Sequence, residues 1–334
     1  MGHTVALIGG GGIGRVHARH WQALPDVEVV AILDPRGHEA RVAGDPPHFS
    51  DWDTMLGQTK PDIIDICTPT SLHREYIERA AASGKATFCE KPLARTLADC
   101  DAIVDVVRRS GIPFMVGHVV RFFPEFAAAK RLVDAGGIGS PVAVRVARMG
   151  GMPGQGRPEN WYGSYAGSGG VILDLMLHDF DWLRWCFGDV QRVFAKGLYQ
   201  QLEFEGQLDY ALVTLRFKSG VVGHLTGSWA HPSGLKTSFE IAGDGGMIDQ
   251  DSTRTTTLNV GRRNNIEEGD LPKVVIPRNP LAPLDDPYYQ ELGSFLEAIR
   301  NGTPSPVTVE DGREAVRIAL AALESIETGK VVTL

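Results

Sequence analysis

Cysteine is scarce in this chain: four occur in 334 residues, at 67, 89, 100 and 186, and none are spaced as C-x-x-C. That excludes a disulfide framework and a zinc-ribbon pattern, and reduced, buried thiols are the plain reading for Cys67 and Cys89 within apolar runs. No apolar run is long enough to span a bilayer. The N-terminus lacks a basic region followed by an apolar stretch, so no signal peptide is expected, and Ala6 stands where myristoylation wants Ser or Thr. Basic residues are in deficit, 33 against 41 acids for a net charge of −8, which argues against nucleic acid or an anionic membrane as the main partner. No G-x-S-x-G elbow, H-E-x-x-H helix, internal repeat or sustained heptad occurs. The expectation is a soluble, cytoplasmic protein.

What is present begins with Gly9-x-Gly11-x-x-Gly14 directly after the apolar run Val5–Ile8, with Asp34 twenty residues past the last glycine. A strand, a tight turn, a helix and a second strand ending in a carboxylate form the order a dinucleotide site needs. The first glycine permits the turn, the second admits a pyrophosphate to the backbone, and the third lets helix and strand pack closely. Gly9, Gly11, Gly12, Ile13 and Gly14 are therefore candidate cofactor contacts, with the helix N-terminus offering N–H groups and a positive dipole end. Asp34 can accept hydrogen bonds from both ribose hydroxyls of NAD, whereas Arg36 could clamp the extra phosphate of NADP. NAD is the expected cofactor and NADP the alternative.

Strand and helix patterns alternate over residues 1–120, giving an expected Rossmann domain with a parallel sheet. Helices are expected near Ser71–Ser83 and Leu97–Ser110, closed by Gly84 and Gly111. Residues 121–334 change character. Helices are expected from Pro124 to Ala135 and from Val171 to Cys186, then strands at Val190–Leu198, Tyr210–Phe217, Val221–Trp229 and Ser238–Ala242. Ser219-Gly220 and Asp244-Gly245 mark turns. The expected fold class is α/β, an N-terminal Rossmann domain followed by an α+β domain with a largely antiparallel open sheet and two last C-terminal helices packing back.

Ligands of parallel sheets bind beyond the carboxyl ends of the strands. Thr68, Pro69 and His73 follow one strand, and Glu90-Lys91-Pro92 follow the next, which makes all but the proline at 92 cofactor candidates. Pro92 restricts Lys91 to extended backbone, so Lys91 is a candidate for a substrate hydroxyl or a nicotinamide ribose, against the plain reading of a surface lysine. Asp174 and His178 stand four apart on a helix with apolar residues between, so they share one face. A carboxylate beside an imidazole suits proton transfer, while a structural Asp–His pair is the alternative. His178, Asp179 and Asp181 diverge on a helix and do not make a metal site, so no metal is expected. His17 and His20 are expected to face the sheet or solvent.

Val5–His17, Cys67-Thr68-Pro69, Glu90-Lys91-Pro92, Gly117–Phe122, Gly169–Asp179 and Val307–Gly312 together resemble the Gfo/Idh/MocA family over nearly the whole chain. The resemblance implies that Lys91, Asp174 and His178 lie beside the nicotinamide as the catalytic set, with Lys91 and His178 able to exchange roles. It implies a secondary alcohol of a sugar, sugar derivative or inositol-like cyclitol as substrate, and a homodimer or homotetramer. Thr70 departs from the asparagine many members carry there. The stretch from Gly150 to Ser168 is expected to shape the pocket, with Trp161 the first substrate contact and Arg121 a second. Two further readings are an NAD-dependent glycoside hydrolase that uses transient oxidation, and a regulator that binds dinucleotide without chemistry.

Overall fold

The computed structural model describes residues 2–34, 45–153, 162, 165–198, 209–232, 234–254, 257–262 and 286–334. Two compact units emerge, Met1–Phe122 with Asn279–Arg313, and Phe123–Arg278 with Glu314–Leu334. Compactness thus assigns the segment ending at Arg313 to the first unit, where a single cut at residue 120 would place it in the second.

The first unit is built on β1 (His3–Ile8), β2 (Val27–Leu33), β3 (His48–Phe49), β4 (Ile63–Ile66), β5 (Ala86–Glu90) and β6 (Phe114–Gly117). All pair in parallel in the order β3-β2-β1-β4-β5-β6. β4, β5 and β6 are buried at every position, as parallel strands covered on both faces must be. The order reverses between β1 and β4, so a crevice opens at the carboxyl ends of those two strands. The helices are α1 (Gly12–Ala23), α2 (Trp52–Thr59), α3 (His73–Ala82) and α4 (Leu97–Ser110). Their ends follow local chemistry. Asp51 caps α2 by accepting the Thr54 N–H at 2.8 Å, Thr96 caps α4 by accepting that of Asp99 at 3.1 Å, and Gly111 ends α4 at φ 66°.

The second unit contains α5 (Pro124–Asp134), β7 (Pro141–Met149), the short α6 (Tyr165–Ser168) and α7 (Leu177–Phe187). Its strands continue as β8 (Val190–Leu198), β9 (Tyr210–Phe217), β10 (Val222–Ser228), β11 (Lys236–Gly243), β12 (Gly246–Asp251) and β13 (Leu258–Arg262). After these come α8 (Pro287–Asn301), which belongs to the first unit and lies against α1, α9 (Val309–Thr328) and β14 (Val332–Thr333). The eight strands form one sheet in the order β13-β12-β11-β7-β10-β9-β8-β14, antiparallel except for β7 with β10. Phe126, Trp182 and Phe239 pack their rings within 5.0 Å of one another, joining α5, α7 and β11. The Asp244-Gly245 turn joins β11 to β12 as a hairpin, as its residues predict.

The expected helix over 171–186 is not uniform. Ile172–Met176 form a π-helical turn before α7, which puts an additional residue into the turn that carries Asp174. The β10 strand lies close to this turn: a Cβ on Gly227 would fall 2.3 Å from Met176 Cγ. Gly227 thus holds the space that the buried Met176 fills. Gly227→Ala is expected to cost about 1–3 kcal/mol by overpacking. A urea midpoint unchanged from the parent protein would refute this packing account.

Candidate active site

The glycine turn owes its shape to contacts that no side chain fits. Gly9 has φ 104°, and a Cβ there would lie 2.7 Å from the Cys67 carbonyl oxygen. A Cβ on Gly14 would lie 2.0 Å from the Gly9 oxygen. Gly11 and Gly12 are the opposite case, with nothing within 4 Å of an added Cβ. They line an open cradle at the start of α1. No side chain caps α1, and its first turn carries no acid, so its N–H groups and dipole favour an anion. Asp34, at the end of β2 and 4% exposed, accepts the Gly10 N–H on Oδ2 at 3.0 Å. The Thr68 hydroxyl oxygen is buried with no hydrogen-bond partner among the described residues. An open backbone cradle, a carboxylate drawn to it and an orphaned hydroxyl fit a dinucleotide. Arg36 and Trp161, expected contacts of cofactor and substrate, lie outside the described residues.

Lys91 leaves the carboxyl end of β5 half-buried, and its peptide to Pro92 is cis. Its N–H donates to Glu90 Oε2 at 3.0 Å. Glu90, expected to face the cofactor, is only 7% exposed, and its other oxygen stands 3.1 Å from His17 Nε2. His73 also reads differently from its expected part as a cofactor contact. It is buried, with Nδ1 2.8 Å from the Pro92 carbonyl and Nε2 3.0 Å from that of Thr68. Burial pushes its pKa down against the pull of those two carbonyls, and the ring stands between the loops after β4 and β5.

Beneath the turn lies a cluster that sequence reasoning missed. His17 Nδ1 is 3.0 Å from Asp65 Oδ2 and 3.3 Å from the Cys67 sulfur, and Trp21 Nε1 donates to Asp65 Oδ2 at 2.7 Å. Burial alone would lower the pKa of His17, but the charge and hydrogen bond of the buried Asp65 hold it well above the usual value. Burial, with Asp65 adding to it, drives the Cys67 thiol upward, which leaves it protonated. His17, Asp65 and Cys67 bring three donor atoms within 4.8 Å, the only metal-like grouping among the described residues. A protonated thiol is a poor ligand, and His17 Nδ1 is already engaged by Asp65 and Cys67. The signal in the sequence was an aspartate inside Ile63-Ile64-Asp65-Ile66, since a charge buried there must find a partner.

In the second unit, Gly169 and Gly170 take φ 78° and 68°, a pair of left-handed residues that turns the chain into the helix. Gly170 donates its N–H to the Ser168 hydroxyl at 3.1 Å. Asp174 is buried within the π-helical turn, and His178 is half-buried one turn later. The next residue anchors the helix. Asp179 receives Arg148 Nε and Nη2 at 3.0 and 2.7 Å, both side chains being almost fully buried, and the guanidinium lies over the Phe126 ring at 5.7 Å. Lys91 belongs to the first unit, and Asp174 and His178 to the second. Arg121, expected to touch substrate, is buried in the first unit, where Nη1 lies 3.3 Å from both the Pro306 carbonyl and Asp311. The structure makes it a clamp on the segment leading into α9.

Comparison with known proteins agrees with the fold. Residues 3–118 match the oxidoreductase family with an NAD-binding Rossmann fold, and residues 126–249 match the GFO/IDH/MocA C-terminal domain. The chain is 31% identical to the myo-inositol 2-dehydrogenase of Thermotoga maritima, over 99% of this chain and 98% of that one. A solved myo-inositol dehydrogenase from Corynebacterium glutamicum is 32% identical with a TM-score of 0.82, covering 100% of this chain and 99% of that one. Levoglucosan dehydrogenase solved with NADH and levoglucosan has a TM-score of 0.91 at 26% identity, over 100% of this chain and 99% of that one.

The Arg148–Asp179 pair supports the helix that carries Asp174 and His178. Arg148→Met leaves Asp179 buried and unpaired, which is expected to cost about 3–5 kcal/mol. The double variant Arg148→Met with Asp179→Leu should recover most of that loss in urea denaturation. Equal stability of the single and double variants would show that the pair is not what holds the helix.

Proposed function

The chain belongs to the Gfo/Idh/MocA family of NAD-binding oxidoreductases, and on that premise we propose that it oxidises a secondary hydroxyl of a cyclitol or sugar, or reduces the matching ketone. One observation carries the reading. Lys91 stands at the carboxyl end of β5, in the same sheet as the glycine cradle, in a chain alike from end to end to an inositol 2-dehydrogenase. Bound NAD supplies the hydride-accepting carbon. The chain supplies the rest. Gly11 and Gly12 present backbone to the pyrophosphate at the α1 N-terminus, and Asp34 takes the ribose hydroxyls.

His178 accepts the proton of the substrate hydroxyl, and the Lys91 ammonium donates to the same oxygen, offsetting the negative charge that grows there. Asp174 orients the imidazole or grips a neighbouring hydroxyl of the substrate. A cytoplasmic setting is supported by four cysteines that are all free. A homo-oligomer is supported by Leu212 and Met247, exposed at strand positions that alternate with buried ones.

Nicotinamide absorbance with a panel of inositols, aldoses and anhydrosugars tests the activity. Against the best substrate of that panel, Lys91→Ala and His178→Ala should each lower kcat by about 10²–10⁴-fold while NADH still binds. Near-normal turnover in either folded variant would remove that residue from the mechanism. Asp34→Ala should lower the ratio of kcat/KM for NAD over NADP by roughly ten- to hundredfold, since a hydrogen bond to a charged group contributes about 1.5–3 kcal/mol. An unchanged ratio would sink the role of Asp34.

A further inference from the structure

Glu90 is held at both ends. Oε2 accepts the backbone N–H of Lys91 at 3.0 Å, while Oε1 stands 3.1 Å from His17 Nε2, a contact of charge with no hydrogen bond aligned along it. The terminal torsion of a glutamate is broad, so contacts on both oxygens are what select one orientation. His17 is itself fixed. Asp65 takes its Nδ1, Trp21 holds Asp65 from the next turn of α1, and the rings of Phe88 and Tyr288 lie 5.5 and 5.8 Å from the imidazole. The side chains of His17 and Asp65 are fully buried and that of Glu90 is 9% exposed, so water does not stand in for these contacts. Two carboxylates flank one imidazole, and only the imidazolium attracts both. The raised pKa of His17 agrees with that charge state.

We propose that His17 is a positioning residue for the oxidoreductase reaction, acting through Glu90 on Lys91. The inference rests on the reading that Lys91 meets the substrate oxygen. Trp21 and Asp65 set the imidazolium, the imidazolium sets the Glu90 carboxylate, and the carboxylate fixes the backbone N–H of Lys91, beside the Cα from which that side chain departs. Loss of the imidazolium frees the carboxylate, and Lys91 then leaves β5 along more than one direction. A displacement of about 1 Å at a reacting group can cost about 10²-fold in rate.

A merely structural histidine would lower stability and cofactor binding, and its effect on kcat would be the same whether or not Lys91 is present. A double-mutant cycle separates the two. His17→Gln, Lys91→Ala and the double variant are compared for kcat on the fastest substrate of the panel, with NADH affinity read by fluorescence titration. Expected is a fall of roughly 10- to 100-fold in kcat for His17→Gln, with NADH affinity within about threefold of the parent. In the Lys91→Ala background the same substitution should change kcat by less than about twofold. Equal losses in both backgrounds, or parental kcat in His17→Gln, overturn the proposal and leave the role of Lys91 standing. Near-normal kcat in Lys91→Ala alone overturns the catalytic reading and this inference with it. If His17→Gln fails to fold, Glu90→Gln enters the same cycle and the same outcomes decide.

Discussion

Between Gly9 and Gly14 two stretches of backbone come so close that a single methyl group would collide with a carbonyl oxygen at 2.0 Å. That approach draws the start of α1 onto the end of β1, and much of the first unit's site depends on it. It sets the α1 N–H groups at the edge of the sheet, where Gly11 and Gly12 leave the cradle open. It also decides what the next turn of α1 meets. His17 and Trp21, one turn apart, both come down on Asp65 of β4. A helix held further off by a larger residue would leave that carboxylate buried without its partners, at a cost of several kcal/mol.

Among the described residues, buried polar groups of the first unit are linked in a chain, and those of the second include a pair. Trp21, Asp65, His17 and Glu90 lead from α1 through β4 to the residue that precedes Lys91. His73 stands between the two loops beside it, near a carbonyl of each. In the second unit, Arg148 and Asp179 hold the helix one residue beyond His178. Lys91 and His178 therefore each follow or precede a buried carboxylate that the scaffold holds. A reactive group gains precision when its neighbours, rather than its own flexible side chain, determine where it points.

Much of this protein was legible in its sequence because the controlling physics is local. The glycine spacing, the acid at the end of β2, the glycine stops after α3 and α4 and the Asp244-Gly245 hairpin all act over a few residues. So does the proline after Lys91. The parallel sheet followed from alternating strand and helix patterns, and the largely antiparallel sheet from strands joined without helices, while the parallel pairing of β7 with β10 did not. Asp174 and His178 were legible as members of one helical run; the π-helical turn that carries Asp174 was not, since nothing in the apolar spacing distinguishes it from an α-helical one.

Only the tertiary structure decided which buried charges meet. Arg121 looked available for substrate, yet it closes on Asp311, 190 residues away. Glu90 and His73 looked aimed at the cofactor, yet both turn inward to His17 and to backbone carbonyls. Arg148 and Asp179 gave no sign of each other across 31 residues. By itself the sequence determined where strands, turns and helices begin, because those follow from backbone freedom and side-chain periodicity. Partnership between distant charges is set by the geometry of packing, since a buried charge must be satisfied and the pattern of residues along a chain does not say by whom.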